Sequence, residues 1–157
     1  MSEARNLRAF LDMLAKSEGT STSKHTKHDG YDVIVGGLDS PNVFKDFSDH
    51  PNILVTVNNK GLKSTAAGRY QLLYRFWKAY KAQLKLKDFG PSSQDAVAIQ
   101  QIRERKALDD IKAGRIREAI AKCSNIWASL PGNSYGQPMH KADNLVEWYR
   151  AFGGTLA

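Results

Sequence analysis

The fold turns on the stretch ARNLRAFLDMLAKSEG, residues 4–19. Ala4, Leu7, Phe10, Leu11, Leu14 and Ala15 recur at three- and four-residue intervals, the signature of a helix with one buried face. Gly19 supplies the stop, because glycine enters the left-handed conformation that ends a helix without a steric penalty. Outward from this helix, Thr20 to Gly30 is polar and basic and reads as a loop. YDVIV (31–35) and ILVTV (53–57) are β-branched runs bounded by Gly30, Gly36-Gly37 and Asn58-Asn59, and each predicts a short strand. The polar segment between them, with Asp39, Ser40, Pro41 and Asn42, predicts an irregular connection or flap.

After this small β region the pattern turns helical. GRYQLLYRFWKAYKAQL (68–84) places Leu72, Leu73, Phe76, Trp77 and Tyr80 at helical spacing. Pro91-Ser92-Ser93 opens another helix, with Ser92 and Asp95 spaced as in a capping box and Val97, Ala98, Ile99 and Ile102 on its apolar face. Further helices are predicted at about 107–112, 116–129 and 138–152, the last closing at Gly153-Gly154. The expectation is one α+β domain over residues 1–157: a small sheet near the N-terminal part, a mainly helical lobe, and a substrate cleft between lobes.

The chain has 157 residues, of which 41% are hydrophobic and 25% charged, an ordinary globular balance. A net charge of +7 favours a polyanionic partner: nucleic acid, an anionic membrane or the anionic polymers of a bacterial wall. Cys123 is the only cysteine, which excludes an intramolecular disulfide. Glu3, Arg5, Arg8 and Asp12 interrupt any signal-peptide apolar region, so the chain is expected to be made and to fold in a cytoplasm.

Glu18 is the first candidate for chemistry. The helix dipole disfavours a carboxylate at a helix carboxyl end by roughly 0.3–1 kcal/mol. With apolar walls added, such a group keeps its proton to higher pH, as a general acid must. The same spacing also fits a surface residue at a frayed helix end. The run Lys63 to Gln71 offers hydroxyls, small residues, Gly68 and an amide for sugar groups; it equally fits a helix amino terminus with Arg69 in an ion pair. Gly132 to Gln137 is a glycine-rich loop whose Tyr135 suits stacking on a sugar ring, or simply a turn. His25 and His28 lack a third ligand and read as a solvated basic loop. No serine or cysteine nucleophile has a recognisable context. Trp77, Trp127 and Trp148 read as core, Arg103, Arg105 and Lys106 as a solvated helix face, and Cys123 as a small buried hydrophobe.

Taken together, Ser17-Glu18-Gly19-Thr20, GYDVIVGG (30–37), STAAGRYQ (64–71) and CSNIWASLPG (123–132) resemble, in order and spacing, the phage lambda lysozyme family. FLDMLA (10–15), FSDHP (47–51), LKDF (86–89), SQDAVA (93–98) and HKAD (140–143) extend the likeness over essentially the whole chain. The connection 38–46 and the turn 58–61 depart from the family.

The resemblance implies a lysozyme-like fold and a phage endolysin acting as a lytic transglycosylase. Such enzymes cut the β-1,4 bond between N-acetylmuramic acid and N-acetylglucosamine and leave a 1,6-anhydro-muramic acid end. The family's single catalytic glutamate falls on Glu18. Asp32, Ser64, Gln71, Asn125 and Tyr135 are the implied substrate contacts, and Arg69 an implied scaffold residue. No metal or cofactor is expected. Peptidoglycan glycan strands are the implied partner, with no nucleic acid, no stable membrane insertion, and a monomer as the default. Access from the host cytoplasm to the wall at lysis would rely on a separate holin. Two other readings stay open: a hydrolytic lysozyme using Glu18 with Asp32, and a non-enzymatic basic protein binding nucleic acid or membrane.

Overall fold

The computed structural model of the chain describes residues 2–132 and 140–157. Two compact units divide it: Met1–Glu18 with Ala98–Ala157, and Gly19–Val97.

The first unit is helical. Helix α1 (Ser2–Ser17) packs against α4 (Leu108–Ala113) and α6 (Ala142–Ala151), and α5 (Ile116–Cys123) packs against both α4 and α6. The buried face of α1 carries Asn6, Ala9, Phe10, Met13 and Leu14. Phe10, Leu11, Leu14 and Ala15 of the predicted stripe are buried as well; the stripe departs at its start, where Ala4 is exposed, Leu7 is half-buried and the polar Asn6 takes an inner position. Hydrogen bonds make the inner position tolerable for Asn6. Its amide donates to the Lys112 carbonyl (3.2 Å) and its oxygen accepts the Thr155 N–H (3.0 Å), so α1 holds the segment after α6. Asp110 is likewise buried and accepts from Arg115 (2.8 Å) and Lys122 (2.6 Å), and the Lys122 bond is the main reason its carboxyl lies below the ordinary aspartate range.

Helix α5 ends at Cys123 rather than near 129. Ser124 turns its hydroxyl back onto the Ala121 carbonyl (2.9 Å), and tight turns follow as Ile126 and Trp127 both donate to the Cys123 carbonyl. The helical spacing of Trp127 and Leu130 thus reflects burial of successive turns. Cys123 is fully buried, and burial pushes its thiol up to about 12.

The second unit holds the β structure. Strands β1 (Val55–Thr56) and β2 (Lys63–Ser64) pair antiparallel, Val55 with Ser64 and Thr56 with Lys63. Asn58 closes the hairpin, its side-chain oxygen accepting the Lys60 N–H (2.9 Å), with Gly61 at φ 80°. The predicted strand 31–35 is reduced to isolated bridges, Val33 with Val43 and Ile34 with Ala67. The connection 38–46 folds back onto this segment: Phe44 donates its N–H to the Asp32 carbonyl (2.9 Å) and buries its ring in the core. That core also contains Ile34, Val55, Leu72, Trp77, Phe89 and Val97.

Helix α2 (Tyr74–Leu84) starts later than the sequence predicts. Residues 67–72 form a turn closed by reciprocal Ala67–Leu72 backbone bonds, with Gly68 at φ 87° and Gln71 at φ 54°. Of the α2 residues only Trp77 is fully buried, and Phe76 is 45% exposed. Helix α3 (Pro91–Glu104) begins at its proline, as proline's fixed φ favours. Its first turn is served by Asp88, which accepts from the Ser93 hydroxyl (3.1 Å), and Asp95 accepts two tyrosine hydroxyls.

His50 is a buried histidine of this unit, lying between the Tyr74 and Phe89 rings. Its Nε2–H donates to the Leu72 carbonyl (2.8 Å) and its Nδ1 accepts the Asn52 N–H (2.9 Å), which defines a neutral ring. Burial holds its pKa below the ordinary 6.5. A histidine lowered by folding adds stability above its unfolded pKa and loses it as pH falls toward the folded value. Wild type should therefore lose thermal stability below about pH 6.5 more steeply than a His50→Gln variant; parallel Tm-versus-pH curves would remove His50 as the cause.

Candidate active site

Glu18 is placed by the end of α1. Its N–H still bonds the Leu14 carbonyl (2.9 Å), and Gly19 follows in the left-handed conformation at φ 78°. The residue is half-buried. Burial raises its carboxyl above the ordinary glutamate value, and it outweighs the Ser129 hydroxyl and backbone N–H, whose hydrogen bonds act in the opposite direction.

Ser129 reaches Glu18 because the turns after α5 return the chain to the end of α1. Its hydroxyl donates to Glu18 Oε2 and also lies 3.0 Å from the Ser17 hydroxyl. Ser17 Oγ is 2.9 Å from the Leu14 carbonyl. His140 ties the same two serines by their backbone: its N–H donates to the Ser129 carbonyl (2.9 Å) and its Nε2–H to the Ser17 carbonyl (3.1 Å). The ring is set edge-on to Trp148, over which Lys16 places its ammonium at 4.6 Å from the ring centre. Asn125 is exposed in the turns that carry Ser129. Tyr135 lies outside the described residues.

Asp32, Ser64 and Gln71 belong to the second unit. Asp32 is 2% exposed; one oxygen accepts the Thr26 hydroxyl and the other the Lys27 N–H (3.0 Å), bonds that hold the 26–32 loop. Gln71 donates to the Gly68 carbonyl (2.9 Å) and, at 3.4 Å, to the Val33 carbonyl. The segments bearing Asp32 and Gln71 therefore meet, since Gly68 also donates to the Val33 carbonyl (2.8 Å). Ser64 sits at the end of β2, where its hydroxyl accepts the Ala66 N–H (3.1 Å).

The glycine in STAAGRYQ makes a close approach to protein. A Cβ on Gly68 would stand 2.5 Å from Gln94 Oε1 and 3.0 Å from the Phe89 ring. Gln94 receives the Arg69 N–H (2.8 Å) and donates to the Tyr31 (3.0 Å) and Phe89 (2.8 Å) carbonyls. Arg69 is buried, with its Nε–H on the Asp29 carbonyl (2.9 Å) and its guanidinium facing the Tyr31 and Tyr70 rings. The hydroxyls of those two tyrosines share Asp95 Oδ1, at 2.9 and 2.6 Å, and burial first, then the Asp95 charge, raises the Tyr70 hydroxyl far above its usual value.

His25 and His28 are exposed, and among the described residues no group of three or more His, Cys, Asp or Glu is placed to hold a metal ion. No helix among them is long and apolar enough to cross a membrane. Ser17, Ser129 and His140 carry no signal of their own in the sequence. Each lies in a stretch that carries the family resemblance, yet nothing local signals that residues over a hundred positions apart converge on one carboxyl.

Known proteins share this architecture. Phage lambda lysozyme solved in complex with a chitohexasaccharide superposes with a TM-score of 0.92 at 60% identity, covering 98% of this chain and 97% of that one. A second phage lambda lysozyme structure gives 0.88 at 59% identity, with the same coverage. The fold is thus that of the lambda lysozyme, mostly helical with a small two-stranded antiparallel sheet. The endolysin of Escherichia phage lambda is 61% identical over 99% of this chain and 97% of its own length, and that of Escherichia phage P2 is 58% identical over 98% and 96%. The family profile described as Endolysin matches residues 8–156. The chain belongs to the phage endolysin family of lysozyme-like, peptidoglycan-degrading enzymes.

Proposed function

We propose that this endolysin is a lytic transglycosylase, with Glu18 serving first as acid and then as base. The observation that carries the reading is a half-buried carboxyl at the end of α1, raised by burial and held by Ser129. A carboxyl so raised retains a proton that it can deliver to the oxygen of the muramyl–glucosaminyl bond as that bond breaks. The Glu18 carboxylate then takes the proton from the muramyl C6 hydroxyl while that oxygen bonds to C1, closing the 1,6-anhydro ring without water. Because the nucleophile is part of the substrate, positioning it is worth about 7–11 kcal/mol of the barrier.

Peptidoglycan strands are the substrate in this reading, supported by the chitohexasaccharide held by phage lambda lysozyme, itself a β-1,4-linked glycan. The hydrolytic alternative requires a second carboxylate to activate water or attack the sugar. Asp32 has both oxygens engaged by Thr26 and Lys27, which favours a loop-holding role for it. We place the enzyme in the host cytoplasm until a separate holin admits it to the wall, on the strength of the family resemblance.

Mass spectrometry of muropeptides released from purified peptidoglycan tests the reaction. Products ending in 1,6-anhydro-muramic acid are expected from wild type and from Asp32→Asn. Reducing ends that carry added water would replace this reading with hydrolysis.

A further inference from the structure

We propose that Ser17 and Ser129 are positioning residues that form a two-hydroxyl relay on Glu18, reversing its direction of donation as the carboxyl loses and regains its proton. The inference deepens, and rests on, the reading of Glu18 as the acid.

The argument is a count of hydrogens. Three contacts run in series: Leu14 carbonyl to Ser17 Oγ (2.9 Å), Ser17 Oγ to Ser129 Oγ (3.0 Å), and Ser129 Oγ to Glu18 Oε2. The two serines own two hydroxyl hydrogens, so they fill two of the three contacts. With Glu18 ionised, Ser129 donates to the carboxylate and Ser17 donates to Ser129, a charge-assisted pair in which the second bond strengthens the first. The Leu14 carbonyl is not stranded by this, because it still accepts the Glu18 N–H. A proton on Oε2 supplies the missing third hydrogen. The chain then runs the other way, Glu18 to Ser129, Ser129 to Ser17, Ser17 to Leu14, with every contact filled.

Both charge states are thus bonded without moving a heavy atom, which suits a group that gives a proton and takes one back within a turnover. His140 keeps the serines in register through their carbonyls, and its Nε2 hydrogen is present whether the ring is neutral or charged. Ser17 also costs the helix little: a serine in the last turn of α1 can back-bond to Leu14 without interrupting the ladder. Among the described residues, His140, and Lys16 with its ammonium over Trp148, are titratable groups placed around the relay.

The test follows the Glu18 carboxyl by 13C NMR through a pH titration, with the His140 ring protons observed in the same samples. Ser129→Ala removes the donor to the carboxylate, so Glu18 is expected to titrate about one pH unit higher. Ser17→Ala, in which alanine suits the helix, should move it up by a smaller amount. In the Ser129→Ala background it should add nothing, since Ser17 acts through Ser129. Ser129→Thr keeps the hydroxyl and should return the midpoint to that of wild type. The alkaline limb of the lysis-rate profile should shift with the midpoint in each variant. Midpoints unmoved by either alanine overturn the relay. Midpoints that move while the alkaline limb stays fixed overturn the serines' role in catalysis, together with Glu18 as the acid.

Discussion

Glu18→Gln is expected to lower the rate of wall lysis by about a hundred- to ten-thousandfold, the range for loss of a general acid, and the variant should unfold at the same or a higher temperature than wild type. The two effects share one cause. A carboxyl whose folded pKa is raised binds its proton more tightly in the native state than in the unfolded chain, so native stability declines as pH rises from the unfolded value through the folded one. Glutamine cannot ionise and escapes that loss, while still accepting from the Ser129 hydroxyl. Turbidity decline of a wall suspension, read beside a thermal melt at neutral pH, checks both. A folded variant lysing at full rate would point to the binding-only reading or to an active site elsewhere.

Gly68→Ala should cost roughly 3–5 kcal/mol of unfolding free energy, among the largest expected of a single methyl group. The backbone there has φ 87°, which strains any residue with a Cβ by about 1 kcal/mol or more. The added carbon would also meet the Gln94 carboxamide oxygen at 2.5 Å. If Gln94 retreats, it gives up its bonds to the Arg69 N–H and the Tyr31 and Phe89 carbonyls together, three buried hydrogen bonds at once. Gly19→Ala is the matched control: φ is 78°, and nothing lies within 4 Å of the new carbon, so backbone strain of about 1 kcal/mol is all that is expected. Urea unfolding of the two variants separates crowding from strain. Equal losses would mean that Gln94 moves aside freely.

Much of this was legible in the residues because the signals were local. The apolar stripe of α1 and its glycine stop follow from spacing and from backbone freedom, and Glu18 stands out as an acidic residue where the helix dipole resists one. The readings that overran share a different cause. Residues 68–73 and 124–129 keep a helical spacing of apolar side chains, yet left-handed Gly68 and Gln71 in one case and the Ser124 back-bond in the other divert the backbone. Successive turns can bury residues at the same intervals as a helix. In the sequence Phe44 and Val43 look like part of a loose connection because their partners, Asp32 and Val33, lie a full loop away. Ser129 was missed for the same reason at a greater distance: a hydroxyl's worth to a carboxyl depends on tertiary convergence, and nothing in its neighbours announces it.

The first unit is assembled from the two ends of the chain, with the second unit inserted between Glu18 and Ala98. During synthesis α1 therefore leaves the ribosome long before α4 and α6, against which it packs, exist. Residues 19–97 are contiguous and can close as soon as they emerge, whereas α1 must wait, its apolar face uncovered. Glu18 waits with it, since Ser129 and His140 are translated more than a hundred residues later. A growing chain thus carries Glu18 without the Ser129 and His140 groups that hold it, and the cluster becomes whole only as translation of this region ends.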